Sequence, residues 1–319
     1  MDGDRIRLGR ALVHTNGPLV ATDHKGDLVA VWPYGPGYAP HALVLGTTGG
    51  GKTNLLRYMV ADLVRTHAAQ PGHLELALAD GKGANSFLMF SYQPGVEAIV
   101  NVPDPASDQP DPIPALVRAF HGTVQARYAA FSTAKLDALS TRRRVAYQAP
   151  PLAVLLIDEY MDWVLSLTPK VRTEMLQLLT RIGQVGREVN CRLWLAMQAP
   201  YAKATADAGL PGLLKMQLKA RIAATGTMGM DDREGLMGFD DTNFGERIEA
   251  YGDNAGLVGD ARKGLGMIRV ARREVPFKTP YMADPLHWET ADEAREAAWR
   301  LLPYRPTADE LGRLRDVAA

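Results

Sequence analysis

The sequence has few of the features that mark secreted, metal-binding or membrane-spanning proteins. Its one cysteine, Cys191, excludes an internal disulfide, and no cluster of Cys and His shows zinc spacing. No apolar run approaches the ~20 residues that a membrane-spanning helix needs. The N-terminus opens with charged residues and lacks the apolar stretch of a signal peptide. These absences predict a cytoplasmic protein, with any membrane attachment supplied by a partner protein.

The sequence also lacks an excess of charge of either sign. Its 36 basic and 36 acidic side chains give a formal net charge of zero, which excludes the overall basic character of a protein that coats nucleic acid. A ring-shaped motor can still grip DNA with a few pore loops while its outer surface stays neutral. At 319 residues, the chain is long enough for one large α/β domain or two smaller ones.

A glycine-rich stretch is the most informative part of the sequence. It reads Gly46-Thr47-Thr48-Gly49-Gly50-Gly51-Lys52-Thr53 and fits the pattern of Gly, four residues, Gly, Lys and Ser or Thr. An apolar run over 42–45 predicts a buried strand before it, and apolar residues at helical spacing over 55–64 predict a helix after it. This order is typical of a phosphate-binding loop, and a glycine-rich hairpin turn is the competing interpretation.

The residues of this stretch have distinct predicted roles in binding ATP. The glycines let backbone amides approach phosphate oxygens closely, partly at positive φ. The whole stretch from Gly46 to Thr53 is therefore predicted to bind nucleotide at the start of the following helix. Lys52 is expected to reach the β- and γ-phosphates, and the Thr53 hydroxyl is expected to bind Mg²⁺.

A second apolar run, over 152–157, ends in Asp158 and Glu159. An unbroken apolar run of this kind predicts a central strand of a parallel sheet. Asp158 is expected to hold Mg²⁺, and Glu159 to orient and polarise the water that attacks the γ-phosphate. A strand that merely ends in acids is common, but its pairing with a phosphate-binding loop predicts a nucleotide hydrolase.

Two further strands are predicted to end in functional side chains. The run over 191–197 leads to Gln198, whose amide is placed to sense the γ-phosphate, although a Gln at a strand end is unremarkable by itself. Alternating leucines over 74–78 lead to Asp80 and Lys82. Ligands bind at this edge in doubly wound sheets, so both residues lie on the functional side, with a turn carrying a solvated ion pair as the alternative.

The chain divides into three predicted parts. Residues 1–40 form a β-rich lead-in, residues 41–281 form the ATPase domain, and residues 282–319 form a short helical tail. Further expectations are helices over about 115–139 and 170–184, an edge strand at 221–224, and a terminal hairpin from 256–258 and 267–270.

In order, these motifs resemble those of the FtsK/SpoIIIE family of RecA-like motor ATPases, within the larger FtsK/HerA group. The resemblance covers roughly residues 40–281 and implies an α/β fold, a RecA-like P-loop NTPase with a mainly parallel central sheet flanked by helices. It rests on the loop from Gly46 to Thr53, Asp80-Gly81-Lys82-Gly83, Ile157-Asp158-Glu159-Tyr160-Met161-Asp162, Gly186-Arg187, Leu195-Ala196-Met197-Gln198-Ala199-Pro200, Arg221-Ile222-Ala223 and Lys278-Thr279-Pro280-Tyr281.

The resemblance implies a hexameric ring that couples ATP hydrolysis to the movement of double-stranded DNA through a central pore. An arginine from the neighbouring subunit completes each site in such rings. Arg127 and Arg187 are the candidates, and the sequence does not choose between them. The chain looks most like the short transfer proteins of actinobacterial conjugative plasmids or integrative elements, so conjugative transfer or DNA segregation is the expected role.

The chain departs from the family pattern in three ways. It shows no membrane-spanning N-terminus, its tail is short for a DNA-reading winged helix, and Ala199 stands where the family usually has Arg. The alternative function is that of an ATPase coupling subunit that engages protein substrates of a type VII-like secretion system. Such proteins usually join several ATPase domains and a membrane anchor, so the sequence favours DNA. A nucleotide-switched assembly protein without motor activity is disfavoured by Glu159.

Overall fold

The computed structural model describes residues 19–22, 28–30, 41–46, 49–67, 72–141, 150–198, 209–224, 250, 253, 264–270, 273–279, 282–286 and 292–318. Thr47 and Thr48 of the glycine-rich stretch lie outside the described residues, as do the motif residues 199–200 and 280–281.

One sheet organises the described part of the chain, and it contains ten strands there. The strands are β1 Leu19–Thr22, β2 Leu28–Ala30, β3 Ala42–Gly46, β4 Leu74–Asp80, β5 Val96–Asn101, β6 Leu152–Asp158, β7 Cys191–Met197, β8 Ala220–Ala224, β9 Leu265–Val270 and β10 Arg273–Lys278. Their order across the sheet is β2, β1, β10, β9, β8, β3, β7, β6, β4, β5. From β8 to β5 all neighbours are parallel, whereas β9, β10, β1 and β2 extend the sheet by antiparallel pairing.

Helices cover both faces of the parallel strands. They are α1 Lys52–His67, α2 Ile113–Thr141, α3 Tyr160–Ser166, α4 Pro169–Val185, α5 Gly212–Gln217, α6 Asp292–Arg300 and α7 Ala308–Ala318. Every residue of β3, β6 and β7 is buried, because successive side chains alternate between two apolar clusters on opposite faces. Residues of α2, α3, α4 and α5 contribute to one cluster, and residues of α1 and α6 to the other. The α/β fold class predicted from the sequence is confirmed.

Two details of the sheet differ from expectation. The strand at 221–224 was expected at an edge, but β8 lies inside the sheet between β3 and β9. The predicted hairpin paired 256–258 with 267–270, but β9 pairs instead with β10. Residues 256–258 lie outside the described part of the chain. The helices expected over 115–139 and 170–184 are confirmed as α2 and α4, and β5 is a strand that the sequence reading missed.

The lead-in and the tail both attach to the central sheet. Thr22 of β1 pairs with Lys278 of β10, so the lead-in strands continue the sheet. Trp299 of α6 is buried in the same cluster as α1. Gln93 Nε2 donates to the Tyr304 carbonyl at 2.5 Å, and the Tyr304 amide donates back to Gln93 Oε1 at 3.1 Å. Among the described helices, none combines the length and apolar character needed to cross a membrane.

Candidate active site

The glycine-rich stretch lies between β3 and α1 at the carboxyl edge of the parallel strands. Gly49 and Gly51 have φ of +75° and +92°, a region that residues with a Cβ atom resist. At Gly46, a Cβ atom would lie 2.7 Å from the carbonyl oxygen of Ala224 on the neighbouring strand β8. Lys52 begins α1, whose first unpaired amides favour an anion at this position. The strand, turn and helix therefore have the arrangement that a phosphate-binding loop requires.

Lys52 makes ion pairs with both carboxylates at the end of β6. Its ammonium forms an ion pair with Asp158 Oδ1 and lies 3.2 Å from Glu159 Oε1. The Thr53 hydroxyl lies 3.4 Å from Asp158 Oδ2. Asp158 is 1% exposed and Lys52 is 4% exposed, so their charges face each other away from water. Burial raises the pKa of the Asp158 carboxyl, and the Lys52 ammonium opposes that rise.

Glu159 occupies a strained turn between β6 and α3. Its φ and ψ are 48° and 39°, the left-handed region that non-glycine residues rarely adopt. Its amide donates to Asp158 Oδ1 at 2.8 Å, and its carbonyl accepts the Trp163 amide at 3.1 Å. The Gly81 amide donates to the Asp158 carbonyl at 2.9 Å, and a Cβ atom at Gly81 would lie 2.8 Å from the Glu159 carbonyl oxygen. The neighbouring loop thus fixes the backbone of Glu159.

Gln198 reaches the same carboxylate from the end of β7. Its side-chain amide donates to Glu159 Oε1 at 2.9 Å. This contact follows from the strand order, because β7 lies between β3, which leads into the glycine loop, and β6, which ends in Asp158. The structure therefore brings together Lys52, Thr53, Asp158, Glu159 and Gln198, and their catalytic and binding roles stay predictions.

Asp80 lies at the same edge of the sheet, where its carboxylate bonds backbone amides of the following loop. It is 1% exposed, and its carboxylate accepts the amides of Lys82 at 2.9 Å and Ser86 at 3.0 Å. These bonds shape the loop after β4, so the interpretation as a solvated ion pair is wrong. Lys82 lies in this loop, at the carboxyl edge of the sheet, and its side chain is exposed to solvent.

Arg127 and Arg187 lie at the opposite edge of the sheet. Arg127 is 11% exposed, donates to the Pro151 carbonyl at 2.7 Å and pairs with Glu75 at 2.7 Å. Pro151 precedes β6, whose seven residues separate it from Asp158 by roughly 20 Å. Arg187 is exposed in the short turn Gly186–Val189 before β7. Neither arginine reaches the site of its own subunit, so a role in the site of a neighbouring subunit stays a prediction.

Two residues of α1 that the sequence reading left without a role extend the site. Asn54 follows Thr53, and its Oδ1 accepts the Met282 amide at 2.6 Å. Arg57, one turn further on, donates to the Ser86 carbonyl at 2.8 Å and pairs with Asp284 at 2.7 Å. Met282 and Asp284 are more than 200 residues away from α1 in sequence, so no local pattern indicates these contacts.

The site combines a glycine loop after β3, acids at the end of β6 and a strand that lies between β3 and β6. This arrangement defines a P-loop ATPase of the RecA-like class. The sequence profile of the FtsK/SpoIIIE family matches residues 27–146. This match confirms, over those residues, the resemblance to the FtsK/SpoIIIE family that the motifs predicted.

Similar proteins fall into more than one functional group. The ESX-5 secretion system protein EccC5 of Mycobacterium tuberculosis is 30% identical over 200 residues, which are 59% of this chain and 13% of EccC5. The DNA translocase FtsK of Corynebacterium glutamicum is 26% identical over 274 residues, 79% of this chain and 27% of FtsK. The chain thus matches only a minor part of either relative.

A solved structure confirms the fold over nearly the whole chain. The pCW3 conjugation coupling protein TcpA, in its monomer form with ATPγS, superposes with a TM-score of 0.55 at 14% sequence identity. The superposition covers 93% of this chain and 73% of TcpA. At this identity the likeness concerns the fold alone.

Proposed function

We propose that this chain is the ATP-hydrolysing subunit of a motor that moves double-stranded DNA. The observation that carries the hydrolysis part is the convergence of Lys52, Thr53, Asp158, Glu159 and Gln198 beside the glycine loop. Each has a task in phosphoryl transfer that its position allows.

The glycine loop and Lys52 suit the triphosphate of ATP. Backbone amides at the start of α1 favour negative charge, and the positive φ of Gly49 and Gly51 permits close approach of the backbone. Lys52 bonds two carboxylates, so its ammonium lies between the loop and the side chains of Asp158 and Glu159. Phosphate oxygens compete with these carboxylates for Lys52, and its transfer to phosphate frees Glu159 from one of its two partners.

Thr53 and Asp158 suit Mg²⁺. One hydroxyl and one carboxylate oxygen, 3.4 Å apart, are hard oxygen ligands of the kind that this cation takes together with substrate phosphates. The cation would neutralise charge on the phosphates. Asp158 is held by the Glu159 amide and Lys52, so its oxygens have fixed directions.

Glu159 is the proposed general base. Its backbone is fixed by Gly81 and Trp163, and Gln198 orients one carboxylate oxygen at 2.9 Å. A carboxylate positioned in this way can orient water and accept its proton. The Gln198 side chain contacts this carboxylate and lies at the edge of the sheet where the γ-phosphate would bind. This position is the basis for the predicted role of Gln198 in sensing the γ-phosphate.

DNA is the proposed track, and a homo-hexamer is the proposed assembly. The FtsK translocase is similar over 79% of this chain, and the conjugation coupling protein TcpA shares its fold. We place the work in conjugative transfer or DNA segregation, with a partner protein providing any contact with a membrane. Within the hexamer, Arg187 is the better candidate to complete a neighbour's site, because it is exposed whereas Arg127 is committed to Glu75 and Pro151.

A second candidate is an ATPase subunit that engages protein substrates of a secretion system. The specific observation in its favour is that EccC5, a secretion system protein, has a higher identity, 30%, than the FtsK translocase, 26%.

The test is the steady-state ATPase rate with and without long double-stranded DNA, at low and at moderate salt. A DNA motor predicts strong stimulation that fades as salt rises, because contacts with phosphates release counterions. Single-stranded DNA and a neutral polymer serve as controls for the track. A rate that does not respond to DNA, in protein shown to hydrolyse ATP, would contradict the DNA motor and favour the protein-engaging subunit.

A further inference from the structure

The open end of the hairpin formed by β9 and β10 lies against the glycine loop. A Cβ atom at Gly51 would lie 3.3 Å from both the amide nitrogen and the Cα of Gly264, so the two backbones are in close contact. Gly264, which precedes β9, has φ of +79°, and its carbonyl accepts the Thr279 amide at 2.8 Å. A Cβ atom at Gly264 would lie 2.9 Å from the Thr279 carbonyl oxygen. Gly264 and Thr279 therefore form a wall next to the loop that binds phosphate.

The chain after this wall is fixed beside the start of α1. The Met282 amide donates to Oδ1 of Asn54, the residue that follows Thr53, at 2.6 Å. Asp284 pairs with Arg57 one turn further along α1, at 2.7 Å. The wall thus has a defined position relative to the glycine loop on two sides, through Gly51 and through α1.

The strand order indicates which part of ATP meets this wall. Glu159 and Gln198 follow β6 and β7, which lie on one side of β3, so the γ-phosphate end of the nucleotide belongs on that side. The nucleoside then extends in the other direction, towards β8, β9 and β10. At about 4.8 Å between strands, β9 is about 10 Å from β3, which is the right side and range for the sugar and base.

The side-chain hydroxyl of Thr279 is the polar group at this wall that could bond a ligand. The residue is 3% exposed, and within the described part of the chain its hydroxyl has no hydrogen-bond partner. Buried hydroxyls are normally bonded, so such a group beside a binding loop is suited to bond a ligand atom.

We propose that Gly264 and Thr279 form the nucleoside subsite of the ATP site, with the Thr279 hydroxyl bonding the sugar or base of the nucleotide. This inference rests on the proposed ATP-binding function. It assigns a binding role to a residue far from the glycine loop in sequence, and it separates recognition of the nucleoside from recognition of the phosphates.

The experiment measures equilibrium binding of ATP, ADP and inorganic tripolyphosphate to the full chain by calorimetry, for wild type and Thr279→Val. The variant keeps the shape of the side chain and removes the hydroxyl. We expect ATP and ADP affinity to fall roughly 5- to 10-fold, the size of one neutral hydrogen bond, with tripolyphosphate affinity unchanged. Thr279→Ser, which keeps a hydroxyl at this position, should bind all three ligands as wild type does. Thr123→Val, the same change at a partly exposed position of α2, is the matched control.

Two results would overturn the subsite. One is wild-type ATP affinity in Thr279→Val, and the other is an equal loss of ATP and tripolyphosphate, which would mean damage to the phosphate loop. A wild-type chain that binds tripolyphosphate but gains no affinity from the nucleoside would also contradict the subsite. Failure of the wild type to bind any of the three ligands would instead contradict the ATP-binding function.

Discussion

Replacement of Lys52 by alanine should destabilise the nucleotide-free protein, in addition to weakening ATP binding. In the structure the Lys52 ammonium is the cation bonded to Asp158, whose side chain is 1% exposed. Removing one partner of a buried ion pair leaves an uncompensated charge, at a cost of about 3–5 kcal/mol. The expected loss in the free energy of unfolding is therefore a large part of the stability of an ordinary domain.

The loss should depend on pH with a definite sign. Burial already raises the pKa of the Asp158 carboxyl, and Lys52 opposes that rise. In Lys52→Ala the opposition is removed, so the folded-state pKa lies further above the unfolded value. A group with a raised folded pKa favours the folded state at low pH and loses that contribution as pH rises through the folded pKa. The deficit of the variant relative to wild type should therefore shrink as pH falls.

Urea unfolding at several pH values measures this effect. The double variant Lys52→Ala/Asp158→Asn removes the buried charge and should recover much of the lost stability. Lys135→Ala is the control, because Lys135 is 50% exposed and its contact with Glu188 is 3.8 Å long, so its loss should stay within about 1 kcal/mol. The reasoning is refuted if Lys52→Ala unfolds like Lys135→Ala and the double variant shows no recovery.

Two further predictions concern His41 and Gly81. Burial, together with the charge of Arg192, lowers the pKa of His41 to about 3. The contribution of neutral His41 to the free energy of unfolding is therefore complete above pH 6.5, the unfolded-state pKa, and falls as the pH drops below that value. From pH 7.5 to pH 5 the loss should be about 2 kcal/mol. His41→Asn should remove that part of the acid-induced loss in urea unfolding, and an unchanged pH profile would disprove it. Gly81→Ala should reduce kcat and leave ATP affinity within a few-fold, because the added Cβ would press on the Glu159 carbonyl at 2.8 Å. Gly122→Ala on α2, where a Cβ meets nothing, is its control, and wild-type kcat in Gly81→Ala would refute the positioning role.

Much of the candidate site was predictable because its parts follow buried parallel strands. Such strands are unbroken apolar runs, and their carboxyl ends meet at one edge of the sheet. The pattern therefore predicted that Lys52, Asp158, Glu159 and Gln198 lie together. The structure adds what the pattern does not contain, namely that Lys52 forms ion pairs with both carboxylates.

Other features depend on contacts that no local pattern records. Residues of β5 are half-buried at the edge of the sheet, so this strand lacks a clear apolar run and was missed. The strand β8 is short, and only its pairing with β9 shows that it lies inside the sheet. Arg127 was a candidate from its residue type, but the direction in which α2 runs places it at the amino edge beside Glu75.

The wall formed by Gly264 and Thr279 was hidden for a similar reason. Its contact with Gly51 joins parts of the chain more than 200 residues apart and is made by backbone atoms. The motif that contains Thr279 was recognisable, but a motif alone does not show that its threonine is buried beside the glycine loop.

The central claim is that Glu159 is the base of an ATP-hydrolysing site, and single-turnover hydrolysis with parallel ATP-binding titrations tests it most directly. Glu159→Gln should bind ATP with near wild-type affinity and hydrolyse it about 10²-fold or more slowly, because the amide cannot accept a proton from water. Glu97→Gln, on the exposed side of the edge strand β5, is the matched control and should behave as wild type. Wild-type hydrolysis by Glu159→Gln would contradict the account.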